Sequence, residues 1–201
     1  PERFKHWYHQ AGTPELTVQR RWDAATGVLT LELRQSTPPT PGQKEKQPLV
    51  LPIAVALVGE QGRIGDEQLL VMQEEQATLT LQAEPGSAAP ALSLLRRFSA
   101  PVNVQLEQSL QESLQLLAHD DDPFSRWNAG QRLARQVLLG RANGQPDVTV
   151  ETALIEHPLI ASAVVIADGR GASVDGHGAM LTLAAWGPPD ELNAVEARLE
   201  R

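Results

Sequence analysis

Five histidines and a run of three aspartates are the groups in this 201-residue chain whose types and spacing could do chemistry. His6 and His9 stand three apart and could share a metal ion, but they flank Trp7-Tyr8 with no carboxylate at ligand spacing beyond them. A surface or packing role fits histidine's usual intermediate burial better. His119-Asp120-Asp121-Asp122 is the densest acidic cluster, of the kind hard cations favour. It lacks the alternating Asp spacing and the distant bidentate Glu of a calcium loop, whereas aspartates before a helix are what the N-terminal dipole attracts. Asp122 is therefore expected as a helix cap. His177 with Asp168 and Asp175 would make an acid-base group, yet Gly169, Gly171, Gly176 and Gly178 surround them and favour a loop. Arg96-Arg97 at a strand end reads as a solvated charge pair, and Trp22, Trp127 and Trp186 read as core because each brings a large apolar area. No His-Glu-x-x-His zinc motif, glycine-rich phosphate loop or Gly-x-Ser-x-Gly nucleophile turn occurs. No catalytic residue and no metal ligand is assigned.

These groups must be held by elements, and from residue 15 to about 105 the chain reads as short β-rich runs separated by turn chemistry. Residues 16–22 and 28–34 should pair as a hairpin across a turn at 23–27, the second run alternating with period two. A loop with Pro38, Pro39, Pro41 and Gly42 leads through Lys44-Glu45-Lys46 to residues 49–58. That run is apolar on both faces and predicts a central strand, with Pro52 near its start where a lost ladder bond is tolerable. Further strands are expected at 69–72, 77–81, 91–98 and 102–106. Seven strands over this length suit an immunoglobulin-like β-sandwich.

Beyond Pro101 the period changes to about 3.6, with Leu106, Leu110, Leu114 and Leu117 on one helical stripe. Asp122-Pro123 starts a second helix, whose inward residues should be Phe124, Trp127, Gln131, Leu133, Ala134, Val137 and Leu138, until Gly140 and Gly144 end it. The fold class is mainly β followed by α: a sandwich over 1–101, helices over 102–145 and a tail over 146–201. In the tail a helix-like stretch at 149–156 stops at Pro158, and a β-branched run at 160–166 meets the glycine cluster. Each glycine costs a helix roughly 1 kcal/mol relative to alanine. A strand at 180–186 and a helix at 190–199 follow, leaving a truncated helical domain and a small α+β unit both open.

Composition excludes several function classes. There are 17 basic against 25 acidic residues, a net charge of −8, 41% hydrophobic residues and no cysteine. Without cysteine there is no disulfide framework, thiolate zinc cluster or cysteine nucleophile, and a reducing, cytoplasmic compartment is expected. Neither a nucleic-acid nor an anionic-membrane partner is expected, since the basic residues do not cluster. The longest apolar run, 161–167, is far short of the roughly 20 residues a membrane-spanning helix needs. The chain opens at Pro1 with neither Met nor a signal-like leader, so it is expected to begin mid-protein.

Four motifs occur in one order: Phe4-Lys5-His6-Trp7-Tyr8-His9-Gln10-Ala11-Gly12-Thr13-Pro14; Pro38-Pro39-Thr40-Pro41-Gly42-Gln43 with Lys46-Gln47-Pro48; Leu94-Leu95-Arg96-Arg97-Phe98-Ser99-Ala100-Pro101-Val102; and His119-Asp120-Asp121-Asp122-Pro123-Phe124-Ser125-Arg126-Trp127. Together they closely resemble the bacterial aminopeptidase N (alanyl aminopeptidase) family of zinc metallopeptidases, over roughly residues 1–145. The resemblance implies the small sandwich of that family plus the opening helices of its C-terminal helical domain. The family's zinc ligands, general-base Glu, substrate-amine segment and oxyanion-stabilising Tyr have no counterpart here; His177-Gly178-Ala179-Met180-Leu181 echoes only three letters of the amine-binding segment. The cofactor implied is therefore zinc in the parent enzyme and none in this chain. The implied partners are a catalytic domain absent from this sequence and, for the parent enzyme, peptides that lose their N-terminal residue. Trp7, Tyr8, Arg126 and Trp127 are the expected interdomain contacts, an idea that fails for the first two if both are fully buried in the sandwich's own core. Residues 150–165 are similar instead to part of the small C-terminal subdomain of adenylate-forming enzymes. The alternatives are thus a stand-alone protein-binding sandwich and a composite chain.

Overall fold

The computed structural model describes residues 3–142, so the tail expectations, with His177, Asp168 and Asp175, lie outside the described residues. The chain divides into two compact units, Pro1–Gly130 and Gln131–Arg201. The expected hairpin forms from β1 (Glu15–Asp23) and β2 (Val28–Ser36), with Glu15 opposite Ser36 and Asp23 opposite Val28. Its turn is closed by the Gly27 amide, which donates to the Asp23 carbonyl at 2.8 Å. Gly27 has φ +69°, and a Cβ there would lie 2.5 Å from the Ala83 carbonyl oxygen. Only glycine tolerates both the left-handed backbone and that approach.

β3 (Leu51–Gly59), β4 (Gly62–Met72), β5 (Gln76–Gln82), β6 (Ala91–Leu94) and β7 (Asn103–Gln105) complete two sheets. Their orders are β5-β2-β1-β7 and β4-β3-β6; β7 runs parallel to β1, and the other pairs are antiparallel. Period-two residues Leu16, Val18, Leu29, Leu31 and Leu33 of the first sheet face Leu51, Ile53, Val55, Leu57, Met72 and Leu92 of the second in one core. Each large side chain so buried contributes roughly 1.5–3 kcal/mol. β3 is buried on both faces, as its apolar run predicts: Ala54, Ala56 and Val58, pointing away from that core, are also covered.

Two strand expectations change. Residues 69–72 are only the end of β4, which starts at Gly62. Gly62, Gly65 and polar 66–68 mask its alternation, and the register shifts opposite them between Val55 and Leu57. Residues 91–98 do not form one strand; β6 stops at Leu94, and Leu95, Arg97 and Phe98 take φ of 56°, 54° and 55°. Such left-handed backbone costs roughly 1–2 kcal/mol per non-glycine residue, so the corner must be held by its surroundings.

The short α1 (His6–His9) precedes the sandwich, and α2 (Leu110–His119) and α3 (Pro123–Ala142) follow it. α2 opens with a capping box: Ser109 Oγ accepts from the Glu112 amide at 3.2 Å, and the Glu112 carboxylate accepts from the Ser109 amide at 2.8 Å. Leu106, expected on the helical stripe, therefore lies before the helix, packed against the sandwich core. Within the Gln131–Arg201 unit, Leu133 and Ala134 are buried and Gln131 is exposed. Trp127, expected inside, is 51% exposed; its ring lies against Phe124, centroids 5.8 Å apart, rather than in the core. Trp22 packs half-buried against the core.

Candidate functional site

The left-handed corner after β6 carries Arg96 inward until it is 3% exposed, where a guanidinium must have every donor engaged or cost several kcal/mol. Nε donates to Glu67 Oε2 at 2.8 Å, and Nη1 to Ser93 Oγ at 3.0 Å and to Asp120 Oδ1 at 2.6 Å. Nη2 donates to Asp121. Glu67 belongs to β4, Ser93 to β6, and the two aspartates to the break between α2 and α3. One side chain thus ties two strands to the junction of two helices. The adjacent Arg97 amide donates to Asp122 Oδ2 at 3.0 Å. That same oxygen accepts from the Ser125 amide at 3.0 Å and its hydroxyl at 2.7 Å, the geometry of an N-cap on α3.

The charges hold one another ionised. Hydrogen bonding from Arg97, helped by Arg96 and opposed by burial, lowers Glu67 to about 2. Burial pulls Arg96 down, but its bonds to Asp121, Glu67 and Asp120 outweigh that and raise it. Burial pushes Asp122 up, and the Arg97 amide with Ser125 brings it below its ordinary value. For Asp121 the Arg96 and Arg63 bonds likewise overcome burial and lower it. Carboxylates so neutralised neither take up a substrate proton nor coordinate a cation freely. Among the described residues no group of three or more His, Cys, Asp or Glu side chains is placed to hold a metal, so the zinc implied by the resemblance has no fitting donor set there.

A second cluster fixes the segment before β1. Trp7 Nε1 donates to the Val50 carbonyl at 3.0 Å. Gln43 Nε2 donates to the His9 carbonyl and Gln43 Oε1 accepts from the Ala11 amide, both at 2.8 Å. Lys46 Nζ donates to the Ala11 carbonyl, Thr40 Oγ1 and Gln43 Oε1, each at 2.7 Å. The first and second sequence motifs are therefore two sides of one clamp, and the third and fourth are two sides of the arginine joint.

Trp7 is half-buried and packs against the core, while Tyr8 is 78% exposed with its ring edge-on to Phe4 at 6.3 Å. Neither is fully buried. Arg126 is half-buried, its Nε donating to the Leu117 carbonyl at 3.1 Å, and Asp122 is buried at the cap. His6 Nδ1 lies 3.3 Å from the Pro48 carbonyl. The solvated reading of Arg96 is corrected: the strained corner turns it inward onto three acids, one from β4 and two from the α2–α3 break. Sequence reasoning missed Glu67, 29 residues away, for which no local signal exists; the capping box at Ser109-x-x-Glu112 was readable from spacing alone.

The described residues thus form a seven-stranded sandwich tied through one buried arginine to the junction of two helices. Residues 12–107 match DUF3458, a domain of unknown function with an Ig-like fold, and residues 110–169 match DUF3458_C, described as ARM repeats. The second match takes in residues 150–165, where the similarity to adenylate-forming enzymes falls. Aminopeptidase N of Caulobacter vibrioides is 46% identical over 145 residues, covering 72% of this chain and 17% of that protein. Aminopeptidase N of Escherichia coli is 38% identical over 153 residues, covering 71% and 18%. The solved structure of Legionella pneumophila aminopeptidase A in complex with aspartic acid superposes with a TM-score of 0.61 at 26% identity, over 76% of this chain and 18% of that one. The chain belongs to the aminopeptidase N family, and it spans less than a fifth of the length of these relatives.

Proposed function

We propose that this chain is the accessory, non-catalytic portion of a cytoplasmic zinc-dependent aminopeptidase, joining the catalytic domain to a helical lid that admits short unfolded peptides. The observation that carries this reading is the Arg96 joint. A buried guanidinium bonded to β4, β6 and the α2–α3 break ties the sandwich to α2 and to the start of α3 within the Pro1–Gly130 unit. Such a mount suits a wall whose placement governs access. In this reading zinc and the groups that polarise the scissile bond belong to the catalytic domain, and no described residue here takes part in proton transfer. No helix among the described residues is long and apolar enough to cross a membrane, which is compatible with the cytoplasmic assignment.

An alanine anilide assay of the purified 201-residue chain with added zinc tests the non-catalytic half, with turnover expected at the level of buffer and zinc alone. Zinc-dependent hydrolysis by the chain would overturn it. The joining half is tested by reading the encoding frame: a His-Glu-x-x-His motif upstream and in frame is expected, and a start codon immediately before Pro1 would favour the stand-alone binding sandwich instead.

A further inference from the structure

Arg3, Arg20, Arg63, Arg96 and Arg97 each pair with a carboxylate, as suits a chain with a net charge of −8. Arg34, Lys44 and Lys46 form no ion pair with a described residue, and all three line one cleft of about 250 Å³. Its walls come from the end of β2, which carries Arg34, from residues 44–48, which carry both lysines, and from the turn between β4 and β5, which carries Glu75. Gln35, 3% exposed, ties these walls together. Its Nε2 donates to the Leu49 and Glu74 carbonyls and its Oε1 accepts from the Leu49 amide, each at 2.9 Å. Its own amide donates to the Glu75 carbonyl at 2.9 Å. The cleft is therefore formed before anything enters it.

The three cations offer different things to a ligand. Lys46 Nζ has all three donors engaged, on the Ala11 carbonyl, Thr40 Oγ1 and Gln43 Oε1. Those partners are neutral, so its position is fixed while its charge stays uncompensated. Arg34 and Lys44 are exposed and make no side-chain hydrogen bond to a described residue, which leaves a planar fork and an ammonium free to donate. Like charges gathered without a counter-ion repel one another, a cost that an anion seated among them removes. The volume of about 250 Å³ lies below the roughly 300–1,000 Å³ of pockets for drug-sized ligands, so the occupant is small. Three cations against the one carboxylate of Glu75 leave two positive charges at the cleft. A phosphate group carries about −1.5 to −2 at pH 7 and neutralises both, whereas a lone carboxylate neutralises one. We propose that the cleft between the end of β2 and residues 44–48 is a binding site for one phosphate group, with Arg34 and Lys44 as its hydrogen-bond donors and Lys46 as a fixed charge. The site stands apart from the proposed function and uses no residue of the Arg96 joint.

Titration calorimetry of the 201-residue chain with inorganic phosphate, at low ionic strength and about pH 7, tests it. Saturable binding at one site per chain is expected. Arg34→Gln should weaken it roughly tenfold, the effect of losing a charge-assisted contact, and Arg34→Lys should recover part of the loss. Arg34 bonds to nothing in the fold, so both variants should keep the wild-type melting temperature. Glu75→Gln removes the opposing carboxylate and should tighten binding severalfold, a gain that a merely structural role for the cleft does not give. Glycerol phosphate, titrated alongside, distinguishes the source. Tighter binding than the free ion assigns the site to the phosphoryl end of an organic ligand, and equal binding assigns it to the ion itself. Malonate bound more tightly than phosphate, no saturable heat, or an affinity unmoved by Arg34→Gln and Glu75→Gln overturns the site.

Discussion

Removing the Arg96 guanidinium leaves Asp120, whose side chain has 0% exposure, as an unpaired charge in the interior. Breaking a buried pair from one side costs about 3–5 kcal/mol, so Arg96→Met should lower the unfolding free energy by about that much in urea denaturation. Arg96→Lys should recover only part of it, because one ammonium cannot reach Glu67, Asp120 and Asp121 together as a planar fork does. Glu67 sets a pH dependence at the same joint. Its pKa falls from 4.5 to about 2 on folding, so between those values the unfolded chain binds more protons than the folded one. The stabilisation is complete above about pH 4.5 and is lost as pH drops toward about 2. Melting temperatures measured across that window should fall steadily, and Glu67→Gln should flatten the slope without abolishing it, since Asp121 and Asp122 are lowered as well. Little of this was legible in sequence. An Arg-Arg pair at a strand end gives no sign of burial, because burial follows from Leu95 turning left-handed and from acids 24 and 29 residues away. Asp122 was legible, since a cap depends only on its neighbours along the chain.

At the scale of elements, the readable parts were those whose period is local. β2 alternates cleanly and β3 is apolar throughout, and both stand where their patterns place them. β4 was half hidden, because its first residues are glycine and polar and owe their strand state to pairing with β3 rather than to their own pattern. The corner at 95–98 was illegible for the opposite reason: Leu, Arg and Phe favour extended or right-handed backbone, and tertiary bonds override them. α2 supplies a test of a purely local signal. Ser109→Ala removes the hydroxyl that accepts from the Glu112 amide, which should cost about 1 kcal/mol. Because the Glu112 carboxylate also pairs with Arg20 on β1, the loss should stay in the first turn. Hydrogen exchange should quicken at residues 110–113 while β1 and β2 keep their protection; equal quickening throughout β1 would mean the cap also holds the sandwich.

For the molecule as a whole, the two side-chain clusters divide the labour. The Lys46 clamp sets the direction in which residues 6–11 approach β1, and the Arg96 joint ties the break after α2 to β6. A module joined only through flexible chain would leave its neighbours free to reorient. If the joint couples the helices to the sandwich energetically, the Pro1–Gly130 unit opens as one cooperative body. Native-state hydrogen exchange should then give the slowest amides of β3 and of α2 the same opening free energy. Arg96→Met should separate them, α2 opening at a lower free energy while β3, whose core contacts the variant leaves in place, remains the later to exchange. A single shared value surviving in the variant would mean that the apolar contact of α2 with β3 and β6 couples the parts. The arginine would then select the angle of the helices without holding them on.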